Sequence, residues 1–296
     1  MLSYQHGYHA GNIADVHKHV MLSRLLRYLQ RKPTPFAVLD LYAGRGHYDL
    51  QDDRARKTGE AEQGILRQCA MPEWPALLAP YAEALWRVNG ALEGEGEGEG
   101  EGAVEGQVMP PRALRYYPGS PLIARYLSPP DCPVICNELH PAEHDALAGH
   151  LKGCSGVHLH RRDALEALIA LVPPAQRRGL IVLDPSFERP QEYAEMAAAL
   201  VKAWQRWPIG VYMLWYPLLA DQRHRPMINA LRQQVGAEQI LQSELQVRTA
   251  GAGMHGSGVL VINPPWVLAD ELQALQPWFG NLCAAGPGTG LRLVES

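Results

Sequence analysis

Seven short apolar segments, separated for the most part by amphipathic stretches, set the narrowest limit on what this chain can fold into. They are Phe36–Leu41, Val134–Glu138, Val157–His160, Leu180–Asp184, Val211–Trp215, Ile240–Val247 and Gly258–Ile262. Between them lie runs of helical character: Ala14–Arg31, Pro121–Leu127, Pro141–Leu151, Ala164–Leu171 and Gln191–Trp204. Such alternation builds a doubly wound, mostly parallel α/β sheet. The last two strands are joined by a loop with no helix, which predicts an antiparallel hairpin at the sheet edge. With 296 residues and 47% of them hydrophobic, the chain suits one large α/β domain, with room for an insertion.

The interval from Tyr42 to Pro133 is too long for one crossover helix. Helical patterns over Glu60–Ala70 and Trp74–Asn89 predict an inserted helical subdomain, residues 50–113, beside the ligand-binding end of the first strand. A lid or a substrate grip fits that position. Inside the insertion, Glu93–Gly102 is five Glu–Gly pairs, a composition that stays solvated and buries nothing. The six glutamates of residues 93–106 also distort the charge balance: without them the net charge of −4 becomes +2. The body of the protein is thus mildly basic, and its Arg and His clusters can hold phosphates. No apolar run has the length of a membrane span, and Met1–His6 shows no signal-peptide pattern. The five scattered cysteines form neither a disulfide framework nor a zinc ribbon, so a reducing cytoplasm is expected.

The chemistry gathers at the strand ends. Leu180–Ile181–Val182–Leu183 runs into Asp184–Pro185–Ser186–Phe187, placing an acid at the carboxyl end of a buried parallel strand, where open α/β sheets bind ligands. The segment reads either as an ordinary Asp–Pro turn or as a clamp for a flat, amine-bearing ring. In the second reading the Asp184 carboxylate and the Pro185 carbonyl accept N–H bonds and Phe187 stacks on the ring. The first strand ends in Asp40–Leu41–Tyr42–Ala43–Gly44–Arg45–Gly46, a glycine turn that lets a ligand approach the backbone but is not a complete dinucleotide fingerprint. Glu138 closes the second strand, where an acid can take ribose hydroxyls. Asp163, with Ala164 after it, follows the third. It can accept an adenine amine, cap the next helix, or do both. A glycine turn followed by three acids, each at a strand end, is the order found in S-adenosylmethionine enzymes.

Other segments are less specific. His6, His9, His17 and His19 crowd the N-terminal region, but their spacings match no standard metal site, and His17 and His19 fall on different helix faces. Tyr4 and Tyr8 suit stacking on a nucleic-acid base better. Arg223–His224–Arg225 and the glycine-rich Gly251–Gly258, with Met254 and His255, read as mobile, partly basic rims.

Several long and unusual runs then identify a relationship. They include His9–Ala10–Gly11–Asn12, Lys18–His19, Ala43–Gly44–x–Gly46, Thr58–Gly59–Glu60, Leu114–Arg125, Glu138–Leu139–His140–Pro141, Leu214–Trp215–Tyr216–Pro217 and Ile262–Asn263–Pro264–Pro265–Trp266. With Asp184–Pro185–Ser186–Phe187, they resemble the RlmJ family of 23S ribosomal RNA adenine-N6 methyltransferases over nearly the whole length. The resemblance implies a class I, Rossmann-like methyltransferase with a seven-stranded, mostly parallel sheet and an inserted helical subdomain. It implies methyl transfer from S-adenosylmethionine to an adenine amine of 23S ribosomal RNA, with the base flipped against Asp184, Pro185 and Phe187. Cofactor contacts fall on His19, Tyr42, Ser120, Glu138, Asp163, Ala164 and Asp184, and Tyr4 matches a substrate position. No metal or membrane partner is implied, and a monomer is expected. Two departures stand out: Tyr42 occupies a position usually held by His, and Ser186 replaces the motif's second proline. A DNA adenine methyltransferase and a non-catalytic nucleic-acid-binding relative are the alternatives. A nicotinamide dehydrogenase fits worst, since the glycine fingerprint is incomplete.

Overall fold

The structure, a computed structural model, describes residues 5–90, 107–249, 253–283 and 288–294. Tyr4 and the Glu–Gly tract therefore lie outside the described residues. The central sheet is formed by β1 (Ala37–Asp40), β2 (Val134–Asn137), β3 (Val157–His160), β4 (Gly179–Leu183), β5 (Val211–Leu219), β6 (Ile240–Gln246), β7 (Met254–Ile262) and β8 (Gly290–Leu293). Their order is β8-β6-β7-β5-β4-β1-β2-β3. From β5 across to β3 every pairing is parallel, whereas β7 runs antiparallel to both β5 and β6.

The sheet thus has eight strands where the sequence predicts seven, and the antiparallel hairpin is covered at its outer side by β8. Four residues with only Leu291 buried carry too little apolar pattern to announce a strand, and β8 exists because β6 offers it an open edge. The glycine-rich rim is also corrected. From Met254 onward it is strand, with His255, Gly256, Ser257 and Gly258 buried. A Cβ on Gly258 would come 2.1 Å from the Tyr216 ring, so this glycine makes room for its neighbour in the sheet. His224 is no mobile rim either. It begins helix α10 (His224–Val235), is buried, and stacks on Tyr216 at 5.1 Å.

Helices flank both faces of the sheet. Helix α1 (Ile13–Leu29) begins where Gly11 takes a positive φ of 74° and the Asn12 side chain accepts the Asp15 N–H. Fourteen of its residues are buried, including Asp15, His17, Lys18 and His19. A helix buried nearly all round is a core element, and one that buries charges there must have partners for them. Between β1 and β2 lie α2 (Asp53–Thr58), α3 (Glu60–Gln63), α4 (Ile65–Cys69) and α5 (Ala79–Val88). They share one core with α1 and α6 (Ser120–Leu127) through Ile65, Trp74, Tyr81 and Leu85. The turn at Gly64 packs so closely on Gly11 that a Cβ there would lie 2.1 Å from the Gly11 carbonyl oxygen. Helices α7 (Pro141–His150), α8 (Ala164–Leu171), α9 (Gln191–Arg206) and α11 (Leu268–Gly280) complete the layers. Among the described residues no helix is long and apolar enough to cross a membrane.

Candidate active site

Strand order reverses at β1, whose neighbours β4 and β2 lead to opposite sides, and ligands of open α/β sheets bind at the carboxyl ends beside such a point. Two chambers open there, of about 510 and 910 Å³. They share His6, Lys18, Asp184, Pro185 and Ser186 as common walls.

The smaller chamber collects the acids of the strand ends. Glu138 follows β2, and its two oxygens accept the backbone N–H groups of Gly44 (2.8 Å) and His140 (2.7 Å). Burial raises its pKa, and those two donors partly offset the rise. Each oxygen keeps a second lone pair for a ligand hydroxyl. Asp163 caps α8, with one oxygen, Oδ1, accepting from Leu165 N and Glu166 N. The capping role is therefore present and leaves Oδ2 for another donor. Tyr42, Ser120, Ala164 and His19 line the same space. His19 is fully buried, 2.8 Å from the Tyr117 hydroxyl, and burial holds its pKa well below normal. Burial first, and then the charge of Asp163, raises the Tyr42 phenol. All the cofactor-contact positions expected from the sequence thus meet in one chamber.

Beneath it lies Asp40, a residue the sequence reading quoted without assigning a role. It is fully buried, and neither carboxylate oxygen has a hydrogen-bond partner. Burial pushes its pKa up to about 7, and Asp184 adds to the rise. Ser120 and the Tyr42 amide are near enough to pull it down without reaching hydrogen-bond geometry.

The larger chamber is organised by α1. Lys18 is ion-paired with Asp15 Oδ1 (2.9 Å) and with Asp184. The other Asp15 oxygen accepts the Gly11 N–H and lies 2.9 Å from His6 Nε2. Burial opposes the Asp15 charge, but His6 and Lys18 outweigh it and hold its pKa well below the carboxylate range. Burial likewise opposes the Lys18 charge, and the two carboxylates reverse that, raising its pKa. Glu60, of the Thr58–Gly59–Glu60 run, reaches His9 and Asn12 at 2.9 Å each and ties α3 to the N-terminal segment. The four N-terminal histidines share no partner among the described residues: His6 meets Asp15, His9 meets Glu60, His17 meets Ser243 and Ser257, and His19 meets Tyr117. Among the described residues no cluster of His, Cys, Asp and Glu could hold a metal.

Phe187 lines the larger chamber beside Asp184 and Pro185, and one face of its ring is taken. Its φ is +50°, its ring is 6% exposed, and Tyr193 stacks on it at 4.1 Å, so that face is covered. Pro185 is buried beside Asp184. Sequence reasoning gave no role to Asp15 and Lys18, although an acid and a base three apart inside an otherwise apolar helix were the available signal.

A sheet of this order with paired chambers at its switch point is the framework of a class I methyltransferase. A family model described as "Ribosomal RNA large subunit methyltransferase D, RlmJ" matches residues 33–96 and 104–295, and the chain belongs to that family. A relative from Escherichia coli (strain K12), named Ribosomal RNA large subunit methyltransferase J, is 37% identical over 97% of this chain and 96% of its own length. One of the same name from Haemophilus influenzae is 33% identical over 100% of this chain and 98% of its own. A crystal structure of a Legionella pneumophila protein, 29% identical, covers 97% of this chain and 98% of that chain with a TM-score of 0.81.

Proposed function

We propose that the protein transfers a methyl group from S-adenosylmethionine to the N6 amine of an adenine in 23S ribosomal RNA, acting as a cytoplasmic monomer. The observation that carries the reading is the position of Asp184 in the walls of both chambers, where a group bound in one meets a group bound in the other.

The residues of the smaller chamber fit the cofactor. Glu138 takes the ribose hydroxyls and Asp163 the adenine amine, while Tyr42 and Ala164 flank the ring. Ser120, His19 and Asp184 line the end nearest Lys18. When bound, S-adenosylmethionine supplies an activated methyl group. In the larger chamber the Asp184 carboxylate and the Pro185 carbonyl accept the two amine hydrogens of the flipped base. An aromatic amine is a poor nucleophile because its lone pair is spread into the ring. Two acceptors below it favour the pyramidal nitrogen of the transition state, where binding accelerates a reaction. Asp184 then takes the proton and passes it to solvent. Lys18 is paired with Oδ2 of Asp184, which leaves Oδ1 to accept from the amine. Helices α3 and α4 of the insertion, residues 50–113, wall the larger chamber through Glu60, Gln63 and Arg67, and the insertion acts as a grip on the RNA. Tyr4 is assigned to the same grip by resemblance.

Mass spectrometry of 23S RNA nucleosides tests the proposal. Cells with the gene should contain one N6-methyladenosine that deletion removes. An unchanged nucleoside profile, or methyl incorporation into duplex DNA in its place, would overturn it.

A further inference from the structure

The larger chamber needs an aromatic surface if it is to receive a base out of its stack, because flipping forfeits stacking that the protein must restore. Phe187 lines the chamber with one face of its ring already stacked on Tyr193. Trp215 is the other large aromatic side chain in the chamber wall among the described residues. It sits on β5 one residue past Leu214, which pairs with Leu183 of β4, so Trp215 stands beside Asp184 across the sheet. Its neighbours Leu214 and Tyr216 belong to the core of the opposite face, as strand alternation requires, while Trp215 also packs on the core that α1 shares. The Lys18 ammonium lies 6.0 Å from the centre of its ring.

The indole is fixed by a buried chain. Trp215 Nε1–H donates to Ser257 Oγ (3.0 Å), His17 Nδ1 lies 3.0 Å from the same oxygen, and His17 Nε2 lies 3.0 Å from Ser243 Oγ. His17 is fully buried, so it stays neutral and can donate at one nitrogen while accepting at the other. A tryptophan used only as filler has no need of a three-residue polar chain through the core, and burying that chain is costly unless every member is paired. Here α1, β6 and β7 each contribute one member, and together they hold the plane of one ring next to the reacting carboxylate.

We infer that Trp215 is the platform on which the target base stacks, and that Ser257 and His17 are positioning residues for it. This rests on the base-binding reading of the larger chamber. Trp215→Phe keeps an aromatic face, whereas Trp215→Leu keeps apolar bulk alone. With protein-free 23S RNA and saturating cofactor, the Leu variant should raise the KM for RNA roughly tenfold or more, the loss of one base–aromatic stack. The Phe variant should stay within about threefold. Ser257→Ala, with the ring intact but its anchor gone, should fall between them. Titration with 2-aminopurine riboside, a fluorescent purine quenched by stacking, should show strong quenching in wild type and in the Phe variant and weak quenching in the Leu variant. Cofactor affinity by calorimetry should be equal in all four proteins. Phe and Leu variants alike in RNA KM and in quenching would overturn the inference. A wild-type protein that binds S-adenosylmethionine but methylates no RNA would instead overturn the reading beneath it.

Discussion

The two chambers share a wall but are built on different principles. The smaller is made from strand ends. Gly44, Glu138 and Asp163 each follow a strand of the parallel sheet, and most of its hydrogen bonds run from backbone amides to carboxylates. The larger is made from side chains buried inside α1 and their distant partners. Lys18 reaches Asp184, Asp15 reaches back to His6, and His17 reaches Ser243 and Ser257. The first design fixes a ligand with a rigid frame. The second holds a buried charged residue, Lys18, between two carboxylates, one of them Asp184. One chamber is thus framed by backbone, and the other by ion pairs between buried side chains.

Breaking the α1 network should cost most. Asp15→Asn leaves Lys18 and His6 without their shared carboxylate in a buried setting. Stability should fall by about 3 kcal/mol, read as a drop in Tm of roughly 5–10 °C. The smaller chamber should respond differently, through affinity. Glu138→Gln keeps shape but replaces one acceptor with an NH2 that faces the Gly44 or His140 N–H, so cofactor Kd should rise about tenfold by calorimetry while Tm falls by only a few degrees, less than in Asp15→Asn. A further effect follows from pH. Burial holds the pKa of His17 down at about 3 and that of His19 well below normal, so the folded state binds fewer protons there than the unfolded chain. That part of the stability is complete above pH 6.5 and lost as pH falls below it, at up to about 1.4 kcal/mol per pH unit for each histidine. Asp40, whose pKa is raised to about 7, works in the opposite direction and offsets about one of the two. Tm should therefore still decline from pH 6.5 to 4, and His17→Asn should flatten that decline.

The same contrast decides what could be seen in the sequence. An acid after an apolar run is a local pattern, and the strand-end acids, the glycine turn and the alternating helices were visible for that reason. The α1 network was hidden because its partners lie far apart in the chain, 166 residues separating Lys18 from Asp184. The glycines of β7 misled in the same way. Gly258 looks like a linker until Tyr216, brought beside it by strand pairing, needs the space. The stacking of Tyr193, at the start of the next helix, on one face of Phe187 had no signal in the sequence. The eighth strand has no signal of its own and depends on the edge of β6.

The central claim is that one carboxylate serves both chambers, and Asp184→Asn tests it most directly. Methyl incorporation into protein-free 23S RNA and S-adenosylmethionine binding by calorimetry should be measured on the same preparation. The account predicts that turnover falls by at least about a thousandfold, within the range one positioned acid–base and electrostatic group supplies, while cofactor binding persists within severalfold. Full methylation by the variant would contradict it.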